Sequence, residues 1–404
     1  MRLNPLVLVA NLTITGSLCF TACTSPRPDS TPKVDRVGVP IQTYCPKKIS
    51  TKVFPSLSGG SIFRIDQTAM NQLIAPDAPI EVLAGPGTRY STITGTSHTL
   101  DEGFKWPEGP VWVEYGRYLL FSDIPPNRVY KWSEHEGLSL FLQKSGYTGA
   151  KPRLGRTSNG STDEPGSNGL LIDQQGRLVL CQHGNRQIAR LGISLRNPKP
   201  IYEPLAVRFE GKRLNSPNDG RYNSQGDLYF TDPPYGLEKK MNDPAKELDF
   251  QGVYLLTREH LQPNGKGRLI LLTDKIPFPN GIALSPDQKT LYVAESGRNT
   301  KIHAFNVKND GTLDEGRVFF DPSPLKRVGK RGGCDGLKID HLGNLFATGP
   351  GGVLVITPAG KHLGTIETGQ RTANCAWGDD GCTLYITADM YLCRIRTKTK
   401  GAGF

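Results

Sequence analysis

The sequence has no long helical periodicity, no long apolar run and no concentrated charge. Its best helical pattern covers only residues 67–73, which argues against a helical body. The apolar run 6–22 is too short and wrongly flanked for a spanning helix. The net charge of +11 comes from scattered lysines and arginines that do not interleave with aromatic residues, so no nucleic-acid module is predicted. With 46 glycines and 31 prolines, the chain is typical of an all-β, turn-rich fold.

Six segments begin with a polar residue and continue into the same two-strand pattern. An alternating apolar strand follows the leading residue, and then a turn and a second apolar strand; 280–294 shows this best. The leading residues recur roughly every 40–60 residues, as propeller blades do. We therefore predict an all-β fold, a six-bladed β-propeller of four-stranded blades. The leading residues are Glu108, Asn168, Asn218, Asn280, Asp335 and Asn374.

The leading residues are predicted to form a ring of oxygen donors, because the innermost strand of each propeller blade lies beside the axis. Oxygens from carboxylates and amides suit a hard divalent cation, with calcium the first choice. No Cys or His stands at these positions, which argues against zinc or copper. The alternative is that Asn and Asp begin strands by bonding local backbone amides. That alternative accounts poorly for all six copies, and it does not account for Glu108.

A second, outer ring of polar residues is predicted on the same face, where the second strand of each blade ends. It includes Ser122, Thr231 and Thr387, with His183 and Asp232 as candidates for substrate binding. Two insertions, 144–167 and 236–251, also fall on this face. The first carries Arg153 and Arg156. Long loops on a rigid scaffold commonly carry recognition, although a solvated loop without function is the alternative for each.

The N-terminal segment indicates export. Residues 1–22 are predicted to be a signal peptide, and 23–60 a Ser/Pro/Thr-rich tether to a propeller domain at 61–404. The run Phe20-Thr21-Ala22-Cys23 resembles a bacterial lipobox, which predicts a lipidated Cys23 and a lipoprotein anchored in the cell envelope. A plain signal peptide cut near Ala22 is the alternative. Export permits disulfides, and Cys375 with Cys382 is a possible pair across a hairpin.

Several motifs, taken in order, resemble the gluconolactonase and regucalcin family, which includes senescence marker protein and the luciferin-regenerating enzyme. They are Glu108-Gly109-Pro110-Val111-Trp112, Asn168-Gly169-Leu170, Ser216-Pro217-Asn218-Asp219-Gly220, Asp232-Pro233-Pro234-Tyr235-Gly236, Pro279-Asn280-Gly281 and Cys334-Asp335-Gly336. The second and fourth look like the bacterial gluconolactonase branch in particular. The resemblance covers about residue 61 to the C-terminus.

The resemblance implies one catalytic divalent ion, often calcium, held by Glu108, Asn280 and Asp335. It also implies that Asn218 lines the site, and we add Asn168 as a substrate-binding candidate. One departure concerns substrate recognition. In animal members an arginine stands two residues before the Asn-Asp-Gly, where this sequence has Ser216. Arg153, Arg156 and Arg221 are therefore only candidates for the missing contact.

The predicted function is a metal-dependent hydrolase that opens sugar lactones. Hydrolysis of a cyclic ester needs a polarised carbonyl and an activated water, and a divalent ion supplies both. Asp335 is the predicted base, with His183 as the alternative. No Gly-x-Ser-x-Gly elbow is present, which argues against a serine esterase. Two rival functions stay open. One is a non-catalytic envelope propeller that binds a small ligand or partner, and the other is an arylesterase- or phosphotriesterase-like propeller.

Overall fold

A computed structural model describes residues 45, 52–151, 153, 163–259 and 268–404 of the chain. Within these ranges the chain forms a six-bladed β-propeller, as predicted. Each blade contains an antiparallel sheet of at least four strands, and the innermost strand begins within two residues of one of the leading polar residues. No helix in the described ranges is long and apolar enough to span a membrane.

The blades follow the chain in order, and their strands are given from the innermost outward. Blade 1 contains Pro107–Val113, Tyr118–Asp123, Arg128–Ser133 and Gly137–Gln143; blade 2 contains Ser167–Ile172, Leu178–Gln182, Gln187–Leu191 and Tyr202–Ala206; blade 3 contains Gly220–Tyr222, Leu228–Asp232, Gly252–Leu256 and Leu269–Thr273; blade 4 contains Pro279–Leu284, Thr290–Glu295, Lys301–Asn306 and Arg317–Phe320; blade 5 contains Leu337–Ile339, Leu345–Gly349, Gly352–Ile356, His362–Glu367 and Ser61–Arg64; blade 6 contains Thr372–Gly378, Thr383–Ala388, Tyr391–Arg396 and Glu81–Ala84.

A few short elements decorate the blades. Strands Thr88–Ser91 and Ser97–Leu100 extend the outer edge of blade 1, and Arg208–Phe209 pairs with Lys212–Arg213 as a small hairpin. The helices are Gln67–Leu73 and Ser323–Arg327, with 3₁₀ turns at Glu114–Gly116 and Lys240–Asn242. The first helix matches the one segment with a helical pattern. The carboxylate of Asp66 caps it by accepting from the amide of Ala69 at 3.0 Å.

The ring closes because N-terminal strands complete the last two blades. Glu81–Ala84 pairs with Tyr391–Arg396 and forms the outermost strand of blade 6. Ser61–Arg64 pairs with His362–Glu367 and gives blade 5 a fifth strand, which was not predicted. Closure leaves no open seam in the ring of sheets.

Packing begins before residue 61, so the predicted tether at 23–60 is too long at its C-terminal end. The amide of Leu57 donates to the carbonyl of Ile80, and the amide of Val82 donates to that of Pro55, each at 2.8 Å. The ring of Phe54 packs edge-on near a blade 1 tryptophan, with centroids 6.1 Å apart. The apolar residues in this Ser/Pro/Thr-rich segment explain why its last part joins the domain.

A disulfide joins Cys45 to Cys382 at the start of the second strand of blade 6. The open pairing of Cys375 with Cys382 does not occur. The strand register places Cys375 opposite Ile386, and Cys375 is a free, buried thiol. The spacing in the hairpin suggested a disulfide, but in the observed strand register Cys375 and Cys382 are not opposite each other.

The apolar core lies between the blades, and the axis is left to polar groups. Each of the six blade interfaces has its own cluster of buried side chains. Strand alternation feeds two of them at once in blade 1, where Leu119 packs toward blade 6 and Leu120 toward blade 2. Each fully buried leucine contributes about 1.5–3 kcal/mol, so the inter-blade layers hold the scaffold rigid around the axis.

Candidate functional site

The glycine after a leading residue allows neighbouring innermost strands to approach closely at the axis. A Cβ added to Gly109 would lie 2.0 Å from the carbonyl oxygen of Asn168 in the next blade. A Cβ added to Gly281 would lie 2.2 Å from the carbonyl oxygen of Asp335. Any side chain at these positions would push the leading residues apart. The polar–glycine pairs in the sequence therefore mark contact points of the ring.

Hydroxyl groups on the second strands tie the innermost strands together. Ser122 Oγ donates to the carbonyl oxygen of Asn168 at 2.9 Å, and Thr231 Oγ1 donates to that of Asn280 at 2.7 Å. Thr387 bonds in the same way to its own blade's innermost strand. These side chains were predicted to line an outer ring of the pocket. They instead satisfy buried backbone groups, so they position the site.

Two aspartates at the ends of second strands clamp the chain just before a leading residue. Asp232 accepts the backbone amides of Asn215 and Ser216, each at 2.7 Å, and is fully buried. In blade 1, Asp123 does the same for the amides of Lys105 and Trp106. Burial raises the pKa of Asp232 to about 7 and that of Asp123 to about 6. Both carboxylate oxygens of Asp232 are already bonded, so the structure gives this substrate-binding candidate a positioning role.

The axial ring contains a third carboxylate that we did not predict, Asp219. Glu108, Asp219 and Asn374 each use a side-chain oxygen to accept the amide of the next residue, at 2.8 to 2.9 Å. Asp219, not Asn218, is therefore the structural counterpart of Glu108 in blade 3. The sequence carried the signal, since Asp219 is the residue directly before the glycine. Asn374 also donates to Glu108 at 2.9 Å, which joins blade 6 to blade 1.

Burial and mutual repulsion act on these carboxylates. Burial first, and to a smaller extent the charge of Asp219, raise the pKa of Glu108 to about 7. The pKa of Asp335 is raised well above its usual value, first by burial and then by the charge of Glu108. Lys338 opposes the effect on Glu108 and Asp219; its Nζ lies 3.9 Å from Asp219 Oδ2. The axis thus gathers negative charge that one lysine only partly offsets.

Several buried oxygens around the axis have no hydrogen-bond partner among the described residues. They are Oδ1 of Asn168, Oδ1 of Asn218 and Oδ1 of Asp335. The orientation of Asn280 is fixed, because its Nδ2 donates to Ser296 Oγ at 2.8 Å. Buried polar atoms normally find partners, so these oxygens are free to bind an ion, a water or a substrate group. Oxygens from carboxylates and amides are the donors that a hard cation takes. In the described ranges no group of three or more His, Cys, Asp or Glu side chains could hold a metal ion, so amide oxygens would have to complete any such site.

His183 lies fully buried beside the ring. Its Nε2 is 3.4 Å from Asn218 Nδ2, and its Nδ1 is 3.5 Å from Glu164 Oε2. Burial, with Lys240 and Arg153 nearby, lowers the pKa of His183 to about 3, so the ring is neutral at physiological pH. Glu164 stands at the end of the first insertion and was not among the predicted site residues.

The predicted arginines differ in their outcomes. Arg153 forms a two-pronged pair with Asp163 and donates to the carbonyl oxygen of Gly236 at 2.9 Å. It therefore joins the two insertions on the pocket face. Arg221 lies within the innermost strand of blade 3. Arg156 and Cys23 lie outside the described residues.

The fold and the site together define a six-bladed propeller whose axis is acidic and lined by side-chain oxygens. The chain belongs to the SMP-30/Gluconolactonase/LRE-like family, whose model matches residues 106–389. A gluconolactonase from Zymomonas mobilis is 35% identical over 359 residues, covering 86% of this chain and 89% of that protein. The family resemblance carried by the motifs is thereby confirmed.

Solved structures agree with this assignment. A gluconolactonase from Xanthomonas campestris superposes with a TM-score of 0.66 at 28% identity, covering 88% of this chain and 100% of that chain. Regucalcin from Agrobacterium tumefaciens, described as a calcium-binding protein, superposes with a TM-score of 0.54 at 16% identity, covering 74% of this chain and 92% of that chain. At that identity the second similarity shows the shared fold alone.

Proposed function

We propose that this protein is a metal-dependent hydrolase that opens sugar lactones. The observation that carries the proposal is the axial ring, where carboxylates of raised pKa lie among buried amide oxygens that have no hydrogen-bond partner in the part of the chain that the structure describes. The similarity to a gluconolactonase over 86% of the chain supports the reaction class. A scaffold that only bound a ligand would have no need to bury repelling carboxylates at one point.

The donor set fits one divalent cation, with Glu108, Asn280 and Asp335 as the residues that would hold it and calcium as the proposed ion. When bound, such an ion supplies Lewis-acid polarisation of the lactone carbonyl and makes an attacking water more acidic. The close glycine contacts between blades and the hydrogen bond from Asn280 to Ser296 hold the oxygen donors in place before the ion binds. This preorganisation lowers the free-energy cost of binding the ion.

The side chains around the axis are assigned the roles of base and of water- or substrate-orienting groups. Asp335 has a buried Oδ1 with no hydrogen-bond partner among the described residues, and we assign to it the proton of the attacking water. Asn168 and Asn218 present amide oxygens that orient the water or a substrate hydroxyl. His183 is a poor base, because a group with a pKa of about 3 holds a proton weakly. It serves instead to orient Asn218.

Asp335→Asn tests this assignment, since it keeps the shape and an oxygen ligand but removes the charge. We expect turnover of D-glucono-1,5-lactone to fall about 10²- to 10⁴-fold with little change in the thermal transition. His183→Ala should lower turnover less. Asp173→Asn is the matched control, because Asp173 accepts turn amides in blade 2 away from the axis.

A panel of lactones, arylesters and phosphotriesters, with and without chelator, separates the rival functions. Chelator-sensitive lactone hydrolysis supports the proposal. Faster turnover of arylesters or phosphotriesters would reassign the substrate class, and absence of all turnover would leave a binding propeller. If Asp335→Asn turns over like wild type at saturating metal while His183→Ala is inactive, the histidine is the base.

We also propose an exported protein anchored in the bacterial cell envelope through a lipid on Cys23. The disulfide between Cys45 and Cys382 supports an oxidising compartment. Cys23→Ser should release the protein from membranes or block its processing, while the propeller folds unchanged. Membrane fractionation tests this, with Cys19→Ser as the control variant that should stay with the membranes. A Cys23→Ser protein that stays with the membranes as wild type does contradicts the anchor.

A further inference from the structure

The two insertions on the pocket face meet around one glutamate, Glu164. Its Oε1 lies 3.2 Å from Lys240 Nζ, and its Oε2 lies 3.5 Å from His183 Nδ1. His183 in turn contacts Asn218, whose amide oxygen has no partner. A continuous line of polar groups therefore runs from the axial ring outward through the histidine and the glutamate to the lysine.

Glu164 belongs electrostatically to the pocket as well. After burial and nearer groups, the charge of Glu164 also contributes to raising the pKa of Asp335 and that of Tyr235. The side chain is 23% exposed, and that of Lys240 is 30% exposed. Both side chains are therefore partly exposed, whereas Asp232 is fully buried.

The backbone at Lys240 holds this arrangement in place. Lys240 has a φ of 52°, a left-handed conformation that non-glycine residues rarely adopt. Its ammonium also donates to the carbonyl oxygen of Tyr235. Arg153 reinforces the junction from the other loop through Asp163 and Gly236. Uncommon backbone conformations kept by surrounding contacts are concentrated at functional sites.

We propose that Glu164 and Lys240 form the specificity site of this pocket and select lactones whose ring carries hydroxyl groups. This inference rests on the proposed lactonase function. The carboxylate accepts hydrogen bonds from ring hydroxyls, and the ammonium donates to their oxygens. A lactone without hydroxyls cannot replace the water on these charged groups, so its binding leaves them unpaired.

The decisive comparison is between D-glucono-1,5-lactone and δ-valerolactone, the same ring ester without hydroxyls. For Glu164→Gln we expect kcat/KM on the hydroxylated lactone to fall about 10- to 100-fold, the size of a lost charged hydrogen bond. The value on δ-valerolactone should stay within about threefold of wild type. The loss should appear mainly in KM. Lys240→Met should shift the ratio in the same direction.

Glu238→Gln is the matched control, since Glu238 lies in the second insertion, two residues before Lys240, but its side chain is 63% exposed and its Oε1 is 3.8 Å from Arg153 Nε. It should leave both substrates unchanged. Equal losses on both lactones in Glu164→Gln would mean a structural role and overturn the proposal, as would no loss on either. Thermal transitions of all variants exclude misfolding as the cause.

A binding measurement separates this inference from the proposed reaction. D-glucono-1,5-lactam resists hydrolysis and keeps the hydroxyls, whereas δ-valerolactam lacks them. By calorimetry, wild type should bind the hydroxylated lactam at least about tenfold more tightly than Glu164→Gln does. This result stands even if wild type hydrolyses neither lactone, which would sink only the lactonase proposal. Equal binding by the two proteins overturns the specificity site.

Discussion

Asp232→Asn should change the pH dependence of the free energy of unfolding, because Asp232 is the buried carboxyl that accepts the backbone amides just before Asn218. The folded pKa of Asp232 is about 7, against an ordinary value of 3.8, because burial disfavours its charge. Between these values the folded state keeps a proton that the unfolded state has lost. The free energy of unfolding therefore falls as the pH rises through this window and levels off above pH 7.

The magnitude follows from the same two values. At about 1.36 kcal/mol per pKa unit, Asp232 should remove about 3 kcal/mol of wild-type stability between pH 5 and pH 8. The asparagine does not titrate, but its amide group faces one of the two backbone N–H groups and leaves it unpaired. That costs about 1–3 kcal/mol at every pH. The variant should thus be less stable than wild type at pH 5 and equal or more stable at pH 8.

Urea unfolding at pH 5 and pH 8, with chelator present, measures both free energies. Asp123→Asn provides an internal scale, since its pKa of about 6 gives a change of only about 1 kcal/mol over the same range. A stability difference between wild type and Asp232→Asn that is the same at both pH values would refute the reasoning. So would a larger pH effect for Asp123→Asn than for Asp232→Asn.

Two further predictions concern the axis and the disulfide. Lys338→Met should destabilise the fold by up to about 3 kcal/mol, because it leaves Asp219 without its neighbouring cation. The double variant Lys338→Met/Asp219→Asn should recover most of the lost melting temperature. If it recovers none, the pairing of the two side chains is contradicted. Replacing Cys45 and Cys382 by serine should cost about 2–5 kcal/mol. A reducing agent should then lower the melting temperature of wild type and not that of the variant; an equal effect on both would show that the bond does not contribute.

The sequence predicted the architecture well because each blade repeats one local pattern. Polar residue, glycine and alternating strand recur in every copy but the last, where Cys375 replaces glycine. The closing strand near residue 80 was also predictable, since an apolar strand outside the repeats needs an edge to pair with. The second added strand, Ser61–Arg64, was not, because its exposed and half-buried residues resemble a surface segment.

The site was predictable only in part. The leading residues could be predicted from their position in the blade repeat. In Asn218-Asp219-Gly220, however, the extra residue made it ambiguous whether Asn218 or Asp219 occupies the ring position. The roles of Asp232, Thr231 and Ser122 depend on backbone groups brought in from other segments, and no local pattern reports such contacts. Glu164 lies in an insertion without periodicity, so only the folded chain brings it to His183.

Blades 5 and 6, which are completed by N-terminal strands, determine when the propeller ring can close. Ser61–Arg64 and Glu81–Ala84 have partner strands near the C-terminus, so neither can pair until almost the whole chain has been made. Pairings across such sequence distances form slowly. We expect the growing chain to lack a closed ring throughout synthesis. For the export proposed above, this order of strands would favour a chain that stays unfolded until its synthesis is nearly complete.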